Sequence, residues 1–200
     1  KIGLASDHGG YNLKSEIIKH LKEKGIECID FGPDNSLESV DYPIFGEKVA
    51  NAVISKAVDY GIVCCGTGIG ISLAANKVPG IRCAVVSDVF SAKMSKAHND
   101  ANMLSLGERV LGRGLALEIV DAWINTEFEG DRHSKRVNMI KEIEERYNIN
   151  RKIKPKNIEK DIIDKVDAKL DKEESDNAEL NKYIDLLKKV SKNGTQEQFN

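Results

Sequence analysis

Cys65 stands at the mouth of a glycine loop, Cys65-Gly66-Thr67-Gly68-Ile69-Gly70. An apolar run, Gly61-Ile62-Val63, leads into it, and a helix-forming run over residues 72–77 leads out. A strand that ends in such a turn and opens a helix gathers backbone N–H groups and the positive end of a helix dipole at one point, which favours an anion. A thiol so placed can serve as base or nucleophile. The other reading is a tight turn beside a small core hydrophobe. Asp7-His8 sets a carboxylate beside an imidazole, suited to proton shuttling on sugar hydroxyls or to capping the helix that follows. His98-Asn99, at a helix-to-strand turn, carries the same ambiguity. Arg132 and Arg136, four residues apart at a helix start, can grip a phosphate from one face or form a solvated basic patch. His20, among lysines inside a helix, reads as a solvated surface residue.

Composition narrows the setting for this chemistry. A length of 200 residues suits one ordinary domain with something added. The formal net charge of -2 gives no general attraction to nucleic acid or membrane surfaces, so neither is expected as a partner. No run approaches the roughly 18 apolar residues of a spanning helix, and no signal peptide is expected. The first strand begins at Lys1, so removal of an initiating residue is expected. The cysteines Cys28, Cys64, Cys65 and Cys83 fall in apolar, strand-like runs without zinc-ligand spacing. Reduced thiols and a cytoplasmic location follow as expectations. Cys64 and Cys65 must point to opposite faces of one strand, which makes Cys64 the structural thiol.

The elements that position these residues alternate. Strands are expected over residues 1–6, 26–31, 60–64, 81–86 and 103–106, with helices over 11–24, from Pro43 onward, after Gly70, over 89–97, over 114–125 and after His133. Alternation of this kind predicts right-handed βαβ units: an α/β, Rossmann-like three-layer sandwich around a five-stranded parallel sheet. Ligands in such sheets lie beyond the carboxyl ends of the strands. Asp7-His8, Cys65–Thr67, His98-Asn99 and Arg109 are all expected at that edge. The glycine loop is not a Walker A motif, since no Gly-Lys-Ser/Thr follows, and it departs from GxGxxG.

Together the motifs resemble the ribose-5-phosphate isomerase B family and its galactose-6-phosphate isomerase relatives. They are Ala5-Ser6-Asp7-His8-Gly9-Gly10, Asp41-Tyr42-Pro43, Cys65-Gly66-Thr67-Gly68-Ile69-Gly70, Ala74-Ala75-Asn76-Lys77, His98-Asn99-Asp100-Ala101-Asn102, Gly107-Glu108-Arg109 and Arg132-His133-x-x-Arg136. The resemblance covers residues 1–147. It implies an aldose–ketose isomerase of the pentose phosphate pathway, with Cys65 moving a proton between C1 and C2 of the open-chain sugar phosphate. Thr67 and the N–H groups of Gly68, Ile69 and Gly70, with Gly66, would hold the enediolate. Asp7 and His98 would assist ring opening, Tyr42 and Asn99 would line the sugar site, and His8, Arg109, Arg132 and Arg136 would hold the phosphate. No metal or organic cofactor is implied. The family is typically a homodimer or dimer of dimers with shared sites, so His98, Asn99 and Arg109 would come from the neighbouring subunit. Some relatives carry a carboxylate base further along the loop; Ser72 stands past the loop here, which implies the cysteine-base branch.

Two rivals share these residues: an isomerase of galactose or allose 6-phosphate, and a non-catalytic nucleotide-binding module. Composition changes after residue 148. Residues 149–200 are dense in Lys, Asp and Glu with near-balanced charge, and predict a helical hairpin extension that docks on its own or a neighbouring subunit. The isomerase domain is therefore expected over residues 1–148.

Overall fold

Short aliphatic runs alternate with amphipathic ones, and each apolar stripe finds the sheet. The computed structural model describes the backbone of residues 1–152 and the side chains of residues 1–147. The expected hairpin of residues 149–200 lies outside the described residues. The elements are β1 (Ile2–Ser6), a single 3-10 turn (His8–Gly10), α1 (Tyr11–Glu23), β2 (Cys28–Asp30), α2 (Tyr42–Ile54), β3 (Tyr60–Cys65), α3 (Ile69–Ala75), β4 (Cys83–Val85), α4 (Val89–Ala97), β5 (Met103–Gly107), α5 (Arg113–Ile124) and α6 (Asp131–Lys152). The strands form a five-stranded sheet in the order β2-β1-β3-β5-β4, with every pairing parallel. β2 and β4 are shorter than the runs expected from sequence, because they are the edges and pair on one side only.

The two-residue period of the strands feeds two cores. Leu4, Ile62, Cys64, Leu104 and Leu106 face one side, where Leu13, Ile17 and Leu21 of α1, Ala92 of α4 and Ala116, Ile119 and Trp123 of α5 cover them. Ala5, Val63, Cys65 and Met103 face the other, under Phe45, Val49 and Val53 of α2 and Ile71 and Ala75 of α3. Each fully buried aliphatic side chain contributes roughly 2 kcal/mol of transfer free energy, so both layers are needed to hold the sheet. Helices on both faces complete the three-layer sandwich.

The order places β1 and β3 side by side, with their following helices on opposite faces. That is the switch point of a doubly wound sheet, where a crevice opens beyond the strand ends. Gly10 lets α1 start hard against β3: a Cβ there would sit 2.5 Å from the Cys64 carbonyl carbon and 2.6 Å from the Cys65 nitrogen. Neither Asp7 nor His8 caps α1. Instead the Glu108 carboxylate, reaching over from the end of β5, accepts from the Leu13 N–H at 2.9 Å and from Asn12 Nδ2 at 3.0 Å. His20 also departs from expectation. Its Nε2 lies 2.8 Å from Asp121 Oδ1, and Lys24 Nζ lies 2.8 Å from Asp121 Oδ2, so it ties α1 to α5 rather than facing water.

Candidate active site

Three strand ends meet at the switch point. β1 delivers Asp7 and His8, β3 delivers Cys65, and β5 delivers Glu108 and Arg109. They are stitched together through the backbone: the Asp7 N–H donates to Cys64 O at 3.2 Å, the Glu108 N–H to Cys65 O at 3.0 Å and the Arg109 N–H to Gly66 O at 3.0 Å. Asp7 is buried, and its Oδ1 has no hydrogen-bond partner among the described residues. A buried carboxylate oxygen left unpaired costs on the order of 1–3 kcal/mol, a cost that a bound hydroxyl donor would remove. Asp7 Oδ1, the Gly66 amide nitrogen and Arg109 Nη2 converge within 3.4, 3.5 and 3.6 Å of a single point, the place a Cβ on Gly9 would take.

Cys65 is 4% exposed, at the floor of this crevice. The Gly68 N–H donates to its sulfur at 3.0 Å, a donor that complements negative charge there. Gly68 has φ +78, a left-handed conformation that aims its amide back at the thiol and that other residues resist. Its carbonyl is fixed in turn by the buried Ser105 hydroxyl at 2.6 Å. The next amide, Ile69 N–H, donates to Thr67 Oγ1 at 3.3 Å. The Gly68 and Ile69 amides thus serve the loop's own side chains, and the loop orients the thiol. Burial pushes the neighbouring Cys64 thiol far up, with the Cys65 and Glu108 charges adding to the shift, which leaves Cys64 as inert core.

Two further groups line the crevice. The Val40 N–H donates to His8 Nδ1 at 3.2 Å, so a neutral His8 carries its proton on Nε2. Tyr42, exposed at the start of α2, packs its ring on the loop: a Cβ on Gly70 would lie 2.8 Å from Tyr42 Cζ. Arg109 belongs with its own chain's thiol. Its Cδ and Nε lie 3.5 Å from where a Gly66 Cβ would be, beside its own chain's loop, whereas the resemblance implied a place in the neighbouring subunit's site.

His98, Asn99, Arg132 and Arg136 lie elsewhere. α4 leaves the carboxyl end of β4 and returns the chain to the amino end of β5, so His98 and Asn99 stand at the amino edge of the sheet. α5 makes the same return, and the Glu129 N–H then donates to Ala97 O at 3.0 Å, bringing the start of α6 beside His98. The sequence placed His98-Asn99 at the carboxyl edge; the direction of the returning helix puts them at the opposite one.

The His98 and His133 rings stack at 4.1 Å and 4°. Their Nε2 atoms lie 3.7 and 3.5 Å from Glu129 Oε2. These three side chains are within metal-ligand range of one another. The Arg132 Nε–H donates to His133 Nε2 at 3.3 Å, occupying the lone pair a metal would need. Stacked rings also keep their in-plane lone pairs in two separate parallel planes, so they do not converge on one point. The trio fits a stacked imidazole pair, with His133 accepting from Arg132, better than a chelate. Burial, then the charges of His98 and Arg132, pushes His133 below the ordinary imidazole pKa, consistent with a neutral acceptor.

The Ribose/Galactose Isomerase family model matches residues 2–140. The chain belongs to the ribose/galactose isomerase family. It is similar to ribose-5-phosphate isomerase B of Escherichia coli (strain K12), 51% identical over 148 residues, covering 74% of this chain and 99% of the relative. Among solved structures, the Clostridium thermocellum ribose-5-phosphate isomerase B is 62% identical with a TM-score of 0.72, covering 73% of this chain and 98% of that one. The Mycoplasma genitalium ribose-5-phosphate isomerase B with bound ribulose-5-phosphate is 39% identical with a TM-score of 0.69, covering 72% and 95%. The family match ends at residue 140, within α6. Among the described residues no helix is long and apolar enough to cross a membrane.

Proposed function

We propose that this isomerase interconverts D-ribose 5-phosphate and D-ribulose 5-phosphate through an enediolate, with Cys65 as the base. The observation that carries the reading is the thiol at the β1/β3 switch point, with the Gly68 N–H on its sulfur and the unpaired Asp7 Oδ1 in the same crevice. The Cys65 thiolate takes the proton from C2 of the open-chain aldose and returns it to C1, while the O2 hydroxyl proton passes to O1. The aldehyde carbon is reduced and C2 is oxidised within one molecule, so the step balances without an external redox partner. Asp7 accepts a sugar hydroxyl, His8 offers its Nε2 proton, and Arg109 places positive charge beside the Gly66 amide. Gly70 and Thr67 border the reacting carbons, and Tyr42 forms a wall of the sugar site.

We infer further that the site is shared in a homodimer. His98 for ring opening, Asn99 for the sugar and Arg132 and Arg136 for the phosphate reach the crevice of the partner subunit. Support for this comes from their place at the amino edge of the sheet, a full strand length from their own chain's Cys65. A C2 axis that sets one subunit's amino edge against the other's crevice completes both sites at once. The substrate is tested by following ribose 5-phosphate, galactose 6-phosphate and allose 6-phosphate by NMR with the purified full chain. Faster conversion of the pentose is expected; faster conversion of a hexose phosphate would reassign the substrate.

A further inference from the structure

Arg82, one residue before β4, is absent from every motif that pointed to the site, yet its side chain ends on the turn that carries His98 and Asn99. α4 stops at Ala97, and Asp100, with φ +48, turns the chain away in the left-handed region. The Asp100 N–H still reaches Lys96 O at 3.1 Å, closing the helix. The carbonyls of Asn99 and Asp100 then point out of the helix and need donors of their own.

The Arg82 guanidinium supplies them. Its Nε donates to Asn99 O at 3.0 Å and to Asp100 O at 2.9 Å. Its Nη2 donates to Asp100 O at 2.6 Å and to Asp100 Oδ2 at 2.6 Å. The backbone beneath is equally fixed: the Arg82 N–H donates to Asn102 Oδ1 at 2.8 Å, and Asn102 Nδ2 donates to Gly80 O at 2.8 Å. The Arg82 side chain is 16% exposed, so water competes poorly for these bonds. From the other side Lys96 Nζ donates to Ala101 O at 3.2 Å. A planar fork can hold two carbonyls and a carboxylate in one geometry, whereas a lysine ammonium is a point charge on a flexible stem.

We propose that Arg82 is a positioning residue for the isomerase reaction, holding the His98-Asn99-Asp100 turn in the geometry that presents His98 and Asn99 to the partner subunit's substrate. The inference rests on the reading of His98 and Asn99 given above. Arg82 touches no reacting atom and acts only through the turn.

A double-mutant cycle separates this role from a purely structural one, because residues acting through one another are not additive. Arg82→Lys, His98→Asn and the double variant are assayed with ribose 5-phosphate, with circular dichroism and mass confirming fold and assembly. Arg82→Lys is expected to lower kcat about tenfold and, through Asn99, to raise KM severalfold, with the kcat loss shrinking to under about twofold when His98 is already Asn. Asp100→Asn keeps a residue that tolerates the left-handed region but weakens the grip on the guanidinium, so it gives a smaller loss with the same dependence on His98. Should Arg82→Lys fail to fold, this variant carries the test. Wild-type kcat in Arg82→Lys, or an equal loss with and without His98, would overturn the inference alone. Wild-type turnover by His98→Asn would overturn the reading of His98 and the inference with it.

Discussion

Adjacent thiols on β3 meet opposite environments because a strand turns successive side chains to opposite faces. Cys64 enters the core under α1 and α5, and Cys65 ends at the crevice with the Gly68 amide on its sulfur. That division was legible in the sequence, since period and position alone settle it. The loop amides were not, because a φ of +78 at Gly68 decides where its N–H points and glycine permits many others. Lys96 was equally hidden: it is 4% exposed, with Nζ 3.3 Å from the Tyr60 ring centroid and 4.6 Å from that of Trp123. Desolvation pushes its pKa down to about 8 from 10.5, against the pull of Asp100. A folded-state pKa below the unfolded one means the unfolded chain binds more protons between those values, so stability rises with pH there. The unfolding free energy of the wild type relative to Lys96→Met is therefore expected to increase from pH 8 to 10.5 in urea titrations. A difference that stays flat over that window would contradict the account of Lys96.

Helices and strands were read from periodicity, and all five strands and the helices over residues 1–147 fall close to their expected places. What the periodicity lacked was the direction in which each helix carries the chain. α4 and α5 run back to the amino edge, so a motif written after α4 cannot lie with motifs written after β1 and β3. Cross-element contacts were also beyond local reading. Glu108 follows β5, yet it serves as the N-terminal partner of α1, with Leu13 N–H at 2.9 Å. The same residue donates its backbone N–H to Cys65 O, so helix start and glycine loop share a brace. Removing such a helix-start acceptor costs about 1 kcal/mol. Glu108→Ala is expected to lose about that much in chemical denaturation, with activity reduced further than the stability loss alone requires. Unchanged stability would show that the carboxylate does not hold the helix.

For the molecule as a whole, the candidate site residues divide between two edges of one sheet, a division that the proposed dimer accounts for. Cys65, Asp7 and Arg109 stand at one edge; His98, Asn99, Arg132 and Arg136 stand at the other. The sequence named all of them, but not that the Arg109 side chain lies beside its own chain's Gly66, because side-chain reach across β5 and the glycine loop is a tertiary property. If each site draws on two chains, subunits of Cys65→Ala and His98→Asn complement each other. Random mixing makes half the dimers mixed, and each mixed dimer holds one intact site, so about a quarter of wild-type activity should return. No recovery after unfolding and refolding the two inactive variants together would place both residues in one chain's site.

The central claim concerns the Cys65 sulfur as the base that carries hydrogen between C2 and C1. Its most direct test is NMR of ribose 5-phosphate in heavy water with the wild type and with Cys65→Ser, a variant that keeps a small side chain at a 4% exposed position. The wild type should both form ribulose 5-phosphate and wash solvent deuterium into C1 of the product. Cys65→Ser should remain folded and lose both signals by about a thousandfold or more, as removal of a catalytic base requires. Deuterium incorporation at near wild-type rate in the serine variant would contradict the account.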